Sequence, residues 1–194
     1  MKPVGPATYN EAMIDLAQLD LASLRIVKYP DPVLNEVCEP VDAFDASLRA
    51  LAERMLAIMY ASRGVGLAAP QVGVPIRLFV ANPTAEAGGQ QEGIYVNPQL
   101  IDLAGEELAD EGCLSFPDVV CKVKRATRAT LRAANPDGEA FTPTGEGLLA
   151  RVFQHECDHL DGILLSDRMS TVARLANRRV LRALQAEYDD AAGP

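Results

Sequence analysis

Apolar residues recur at helical spacing in two parts of the chain, with alternating or short apolar runs between them. Leu48, Leu51, Met55, Ile58 and Met59 share one face of a helix that Asp42 or Asp45 can cap, that runs to about Ser62 and that Arg63-Gly64 stops. A Gly-rich loop, residues 64–74, follows. Strands are predicted at Ile76–Ala81, Ile94–Ile101, Val119–Val123 and Thr127–Ala134, and the turn signal Asn135-Pro136-Asp137-Gly138 joins the last of these to Glu139–Thr142 as a hairpin. Helical periodicity returns from Glu146 to Leu160, with Gly162 just beyond. Ser170 can cap a last helix, 171–188. Residues 1–23 read as an N-terminal extension with a short helix. Helices at both ends and strands between predict an α+β fold, mostly antiparallel, in one domain spanning 1–194.

Composition narrows the function classes. At 48% hydrophobic and 23% charged residues, the chain is an ordinary globular one, long enough at 194 residues to bury about 70% of its unfolded surface. A net charge of −9 argues against gripping DNA over a broad surface. The first residues lack the apolar run of a secretory signal, and no stretch approaches the length of a membrane span. Four cysteines are too few for a disulfide scaffold, so a cytoplasmic location is expected.

The chain has two histidines, and they stand four residues apart in His155-Glu156-Cys157-Asp158-His159. On a helix that spacing puts both imidazoles on one face, about 5–6 Å apart at Cβ, within reach of a single metal ion. Leu148, Val152, His155 and His159 continue one stripe, so the imidazoles should face a core or cleft. Glu156 lies beside that face, where its carboxylate can reach a metal-bound water without being a ligand. Cys157 is about 200° round from His155 and should serve packing. A helix with two hydrogen-bonded core histidines would show the same pair, but would not need the carboxylate between them.

A catalytic metal commonly has three protein ligands and an open position. No later histidine exists, and two candidates remain for the third ligand. Glu187 is the one Glu after His159 and would make a zincin-type metallopeptidase. Cys113, in Glu111-Gly112-Cys113-Leu114-Ser115, would make a Cys-His-His site suited to zinc or ferrous iron. Spacing leaves the two level; the place of Glu187 in Glu-Tyr-Asp-Asp near the terminus tilts the balance toward Cys113.

Three segments taken together resemble the peptide deformylase family. They are Gly64-Val65-Gly66-Leu67-Ala68-Ala69-Pro70-Gln71, Glu111-Gly112-Cys113-Leu114-Ser115 and Gln154-His155-Glu156-Cys157-Asp158-His159. The stretch Tyr29-Pro30-Asp31-Pro32-Val33-Leu34 is also similar to the family's beginning, so the likeness covers about 24–170. Three motifs in order are far more specific than one.

The resemblance implies antiparallel sheets packed around the central motif helix. It makes Cys113, His155 and His159 ligands of one divalent metal, ferrous iron first, with zinc, nickel or cobalt as substitutes. Glu156 would be the acid/base, and Gln71 with the Leu114 N–H would stabilise the oxyanion. The implied reaction releases formate from the formyl-methionine that starts new polypeptides. Val65, Gly66, Gly112, Leu148 and Val152 would meet the substrate, the glycines by leaving room for its backbone. Arg151 stands where several members carry an apolar residue. Val120 stands where some have a substrate-clasping arginine.

Arg174, Arg178 and Arg182 form an i, i+4 stripe with Arg179 beside it, on an otherwise acidic chain. A solvated face explains the pattern. Ribosome docking through the C-terminal helix, as in some members, explains it too.

Overall fold

The computed structural model describes residues 14–89 and 91–193, so the first thirteen residues of the expected N-terminal extension lie outside it. Within the remainder of that extension, Leu16–Gln18 forms one 3-10 turn. Helix α1, Ala46–Ala61, starts where Asp45 accepts hydrogen bonds from the Ser47 and Leu48 N–H groups, at 2.9 and 3.1 Å. Asp45 is therefore the cap, and Asp42 is not.

The expected loop at 64–74 contains strand β1, Gly66–Ala68, and a 3-10 turn, Ala69–Val72. Strands β2, Leu78–Ala81, and β3, Gly93–Ala104, follow. The predicted strand start at Ile76 is a single bridge to Glu39. Strands β4, Glu107–Cys113, and β5, Phe116–Arg125, form an antiparallel hairpin turned at Leu114-Ser115. Next come β6, Arg128–Ala134, β7, Ala140–Phe141, and β8, Thr144–Glu146. The main sheet runs β1-β2-β3-β6-β7 with β8 also on β6, and every pairing is antiparallel.

Strand alternation explains how this sheet sits between two helices. Leu78 and Val80 of β2, with Ile94 and Val96 of β3, join the core under α1. Phe79, Ala81 and Tyr95 point the other way, into the core around α2, Leu148–Leu160. Both faces of β2 are covered, which is why its four residues are all buried. Helix α2 is covered on all sides: every residue from Ala150 to Leu160 is buried. Burying Arg151 and Asp158 that way requires partners for their charges.

Helix α3, Leu165–Arg168, and the C-terminal helices pack on a third apolar cluster beneath β5. The single helix expected from 171 to 188 is two, α4, Thr171–Ala176, and α5, Arg178–Ala192. The Asn177 side chain donates to the Ala173 carbonyl (3.0 Å) and to Val120 O on β5 (3.3 Å). The Asn177 backbone N–H keeps its own bond to the Ala173 carbonyl (3.0 Å), and the break is a single turn residue at φ −88°, ψ 0°.

Candidate active site

The β4–β5 turn and the inner face of α2 meet beside the Gly64–Gly66 segment, around a cavity of about 460 Å³. Cys113 arrives at the end of β4, where the register shifts between Gly112 and Cys113. Its Sγ lies 3.2 Å from His159 Nε2. The Cys113 sulfur and a nitrogen from each of His155 and His159 all fall within 4.8 Å of one another. Distances of about 2.3 Å from sulfur and 2.0–2.1 Å from nitrogen to one ion are compatible with that spread. A thiolate and two imidazoles suit ferrous iron, zinc and neighbouring divalent ions.

The candidate ligand atoms are oriented from behind. Glu111 Oε1 lies 2.7 Å from His155 Nδ1, which leaves Nε2 to face Cys113. Arg125 grips both Glu111 oxygens, at 2.8 and 3.2 Å, and reaches Asp158 Oδ2 at 2.6 Å. Arg168 closes on Asp158 from the other side. Burial alone would raise the Glu111 carboxyl, but the bonds from His155 and Arg125 hold it well below the usual carboxylate range. Burial holds His159 well below the usual imidazole range, in the neutral form a metal could use. In His155 burial acts the same way, yet Cys113 and Glu111 outweigh it and raise the pKa. The donor set thus attracts positive charge, which a metal ion satisfies in place of a proton.

Glu156 Oε2 and His159 Nδ1 are buried without a protein hydrogen-bond partner among the described residues. Burial pushes the Glu156 carboxyl up to about 7. The carboxylate stands against Gly66, where an added Cβ would lie 2.3 Å from Oε1 and 2.9 Å from Val152 Cγ1. Gln71 is buried in the 3-10 turn, and its Oε1 accepts from the Ala68 N–H at 2.8 Å. That bond aims Nε2 at the site, 3.5 Å from Cys113 Sγ and 3.2 Å from Ser115 Oγ.

Val65, Gly66, Gly112, Leu114, Leu148 and Val152 line the cavity with Cys113, His155 and Glu156. Val152 is buried, whereas Leu148 is 49% exposed and sits at the mouth. Val120 lies on the rim, 60% exposed. Glu187 is absent from this cavity; it is exposed on α5 and lines a separate groove near residues 23–31, which removes the Glu187 ligand scheme. Cys157 packs in the core around α2, with burial raising its thiol to about 12.

Sequence reasoning assigned no role to Glu111, Ser115, Arg125 or Asp158. One signal was available for Glu111, since a ligating imidazole commonly bonds a carboxylate through its other nitrogen and Glu111 is two residues from Cys113. Arg125 is far from any motif, and only folding brings it in.

A cavity with a three-ligand cluster, a free buried carboxylate and an inward amide donor suits hydrolysis, and the class that fold and site define is the mononuclear metal hydrolases. Known proteins narrow that class. The polypeptide deformylase family matches residues 23–175. The peptide deformylase of Acidobacterium capsulatum is 47% identical over 160 residues, covering 82% of this chain and 94% of that protein. Peptide deformylase 1B of Arabidopsis thaliana, chloroplastic/mitochondrial, is 40% identical over 88% of this chain and 63% of its own length. Its crystal structure with an inhibitor superposes with a TM-score of 0.85 at 40% identity, covering 88% of this chain and 95% of that one. The Thermus thermophilus enzyme gives 0.79 at 40% identity, over 84% and 98%.

The chain belongs to the polypeptide deformylase family. Its members are metal-dependent hydrolases that remove the N-terminal formyl group from nascent polypeptides. No helix among the described residues is long and apolar enough to cross a membrane.

Proposed function

We propose that this chain binds ferrous iron through Cys113, His155 and His159 and deformylates formyl-methionyl peptides with Glu156, Gln71 and Leu114. The observation that carries the reading is the cluster of one half-buried sulfur and two buried imidazole nitrogens beside a carboxylate with a free oxygen. Zinc, nickel or cobalt would fit the same donors. The ion, when bound, supplies Lewis acidity and a water acidified toward neutral pH. Glu156 takes the proton of the attacking water and returns it to the departing amine, so water and formamide become formate and a free N-terminus. Gln71 Nε2 and the Leu114 N–H donate to the formyl oxygen as negative charge grows there, worth about 3 kcal/mol for each donor. Val152 and Leu148 wall the methionine side chain, and Val65, Gly66 and Gly112 leave its backbone room.

The finer context is cytoplasmic, with nascent chains met at the ribosome. The exposed arginines on α4 and α5 support that contact. The deciding experiment is formate release from formyl-Met-Ala-Ser by protein purified anaerobically, with metal analysis of the same sample. Near-stoichiometric iron with rapid turnover is expected. Inactivity in the iron-, zinc-, nickel- and cobalt-loaded forms alike would overturn the reading.

A further inference from the structure

Arg151 stands one turn before His155 on α2, among the residues that line the cavity. Its guanidinium is turned to other work. The side chain is 9% exposed, with Nη1 3.0 Å from Glu111 Oε2 and 3.0 Å from Val123 O on β5, and Nη2 3.4 Å from Glu107 O on β4.

We propose that Arg151 is a positioning residue for the metal centre, locking Glu111 against His155 and tying α2 to the hairpin that carries Cys113. The inference rests on Cys113, His155 and His159 being the ligands. A carboxylate has about four acceptor sites, and Glu111 has four bonds. Oε1 takes His155 Nδ1 and Arg125 Nη2; Oε2 takes Arg125 Nε and Arg151 Nη1. Without Arg151 the second oxygen keeps one bond, and the carboxylate can pivot about Arg125. The imidazole it holds pivots with it.

The second half of the argument concerns distance between elements. Two ligands stand on α2 and the third on β4, so their spacing depends on how firmly helix and hairpin are joined. Arg125 of β5 joins them near Asp158. Arg151 joins them about two turns earlier, through carbonyls of both hairpin strands, so that the hairpin is held at two places and cannot rock on one. A guanidinium can do this because its donors form a rigid fork; a lysine has one nitrogen to share among three acceptors.

The test compares wild type, Arg151→Leu and Arg151→Lys, each loaded with nickel and mixed with excess chelator, with loss of metal followed in time. A parallel cobalt-loaded set is read by its visible ligand-field spectrum, and circular dichroism of the metal-free proteins checks the fold. Arg151→Leu should lose nickel about tenfold or more faster, the scale typical of groups behind a ligand. Its cobalt bands should shift or broaden. Arg151→Lys, which keeps the charge but not the fork, should also release metal faster than wild type. If Arg151→Leu does not fold, the lysine variant decides. Wild-type retention in the lysine variant, or in a folded leucine variant altered only in KM, would overturn the proposal and leave Arg151 as cavity wall. Cys113→Ala is the control on the premise: if it retains metal like wild type, the ligand assignment fails whatever Arg151 does.

Discussion

Glu156 shows what burial does to a single group. Its folded pKa of about 7 lies above the ordinary 4.5, so between those values the folded chain binds a proton that the unfolded chain has released. By linkage, metal-free protein has the full benefit of this group below about pH 4.5 and loses it as pH rises through about 7. The shift corresponds to about 3 kcal/mol. Glu156→Gln in metal-free protein should therefore raise the thermal midpoint above pH 7 and leave it nearly unchanged below pH 4.5. The same variant should bind metal and lose at least about a hundredfold in turnover, the lower range for a general base. Equal midpoints at high pH would show that the carboxylate is not destabilised by its surroundings.

At the scale of elements, close approach between backbones determines what the site tolerates. Strand β1 passes α2 where Gly66 faces Glu156 and Val152. Gly66→Ala puts a methyl group where the carboxylate stands, so turnover should fall sharply while metal stoichiometry stays near wild type. After α2 the chain reverses at Gly162, with φ +70° and a would-be Cβ only 2.5 Å from Asn35 O. Gly162→Ala should cost more than about 1 kcal/mol, visible as a thermal midpoint several degrees lower with a normal metal content. Asn177, the residue between α4 and α5, hydrogen-bonds Val120 O and so ties the C-terminal helices to β5.

For the whole molecule, charge is distributed unevenly. The buried network pairs Glu111 and Asp158 with Arg125 and Arg151, and the exposed Arg168 closes on Asp158 from its edge, whereas Arg174, Arg178, Arg179 and Arg182 are exposed on α4 and α5. Deleting 171–194 would confuse two effects, because Leu184 of α5 is buried in the third apolar cluster. Reversing the four exposed arginines to Glu leaves that packing in place. Ribosome cosedimentation should then fall, with hydrolysis of a short formyl peptide retained; unchanged cosedimentation would remove the ribosome contact from the proposal.

Sequence by itself determined α1 and α2, the positions of β2, β3, β5, β6 and β7, and the two histidine ligand candidates with a choice of two for the third. Those features are written in local periodicity, turn residues and short motifs, which neighbours in the chain are enough to specify. Strand β4 was not legible because Glu107-Leu108-Ala109-Asp110-Glu111-Gly112 is acidic and has no apolar alternation; pairing with β5 makes it a strand. The choice between Cys113 and Glu187 was left level by spacing for a related reason. Distance along the chain says nothing about distance in space until the hairpin folds over α2 and α5 lies elsewhere. Arg125, Arg151 and Asp158 read as ordinary charges on strand and helix. Only the folded structure buries them together, where the cost of desolvation makes each charge depend on the others and on the carboxylate that aims His155.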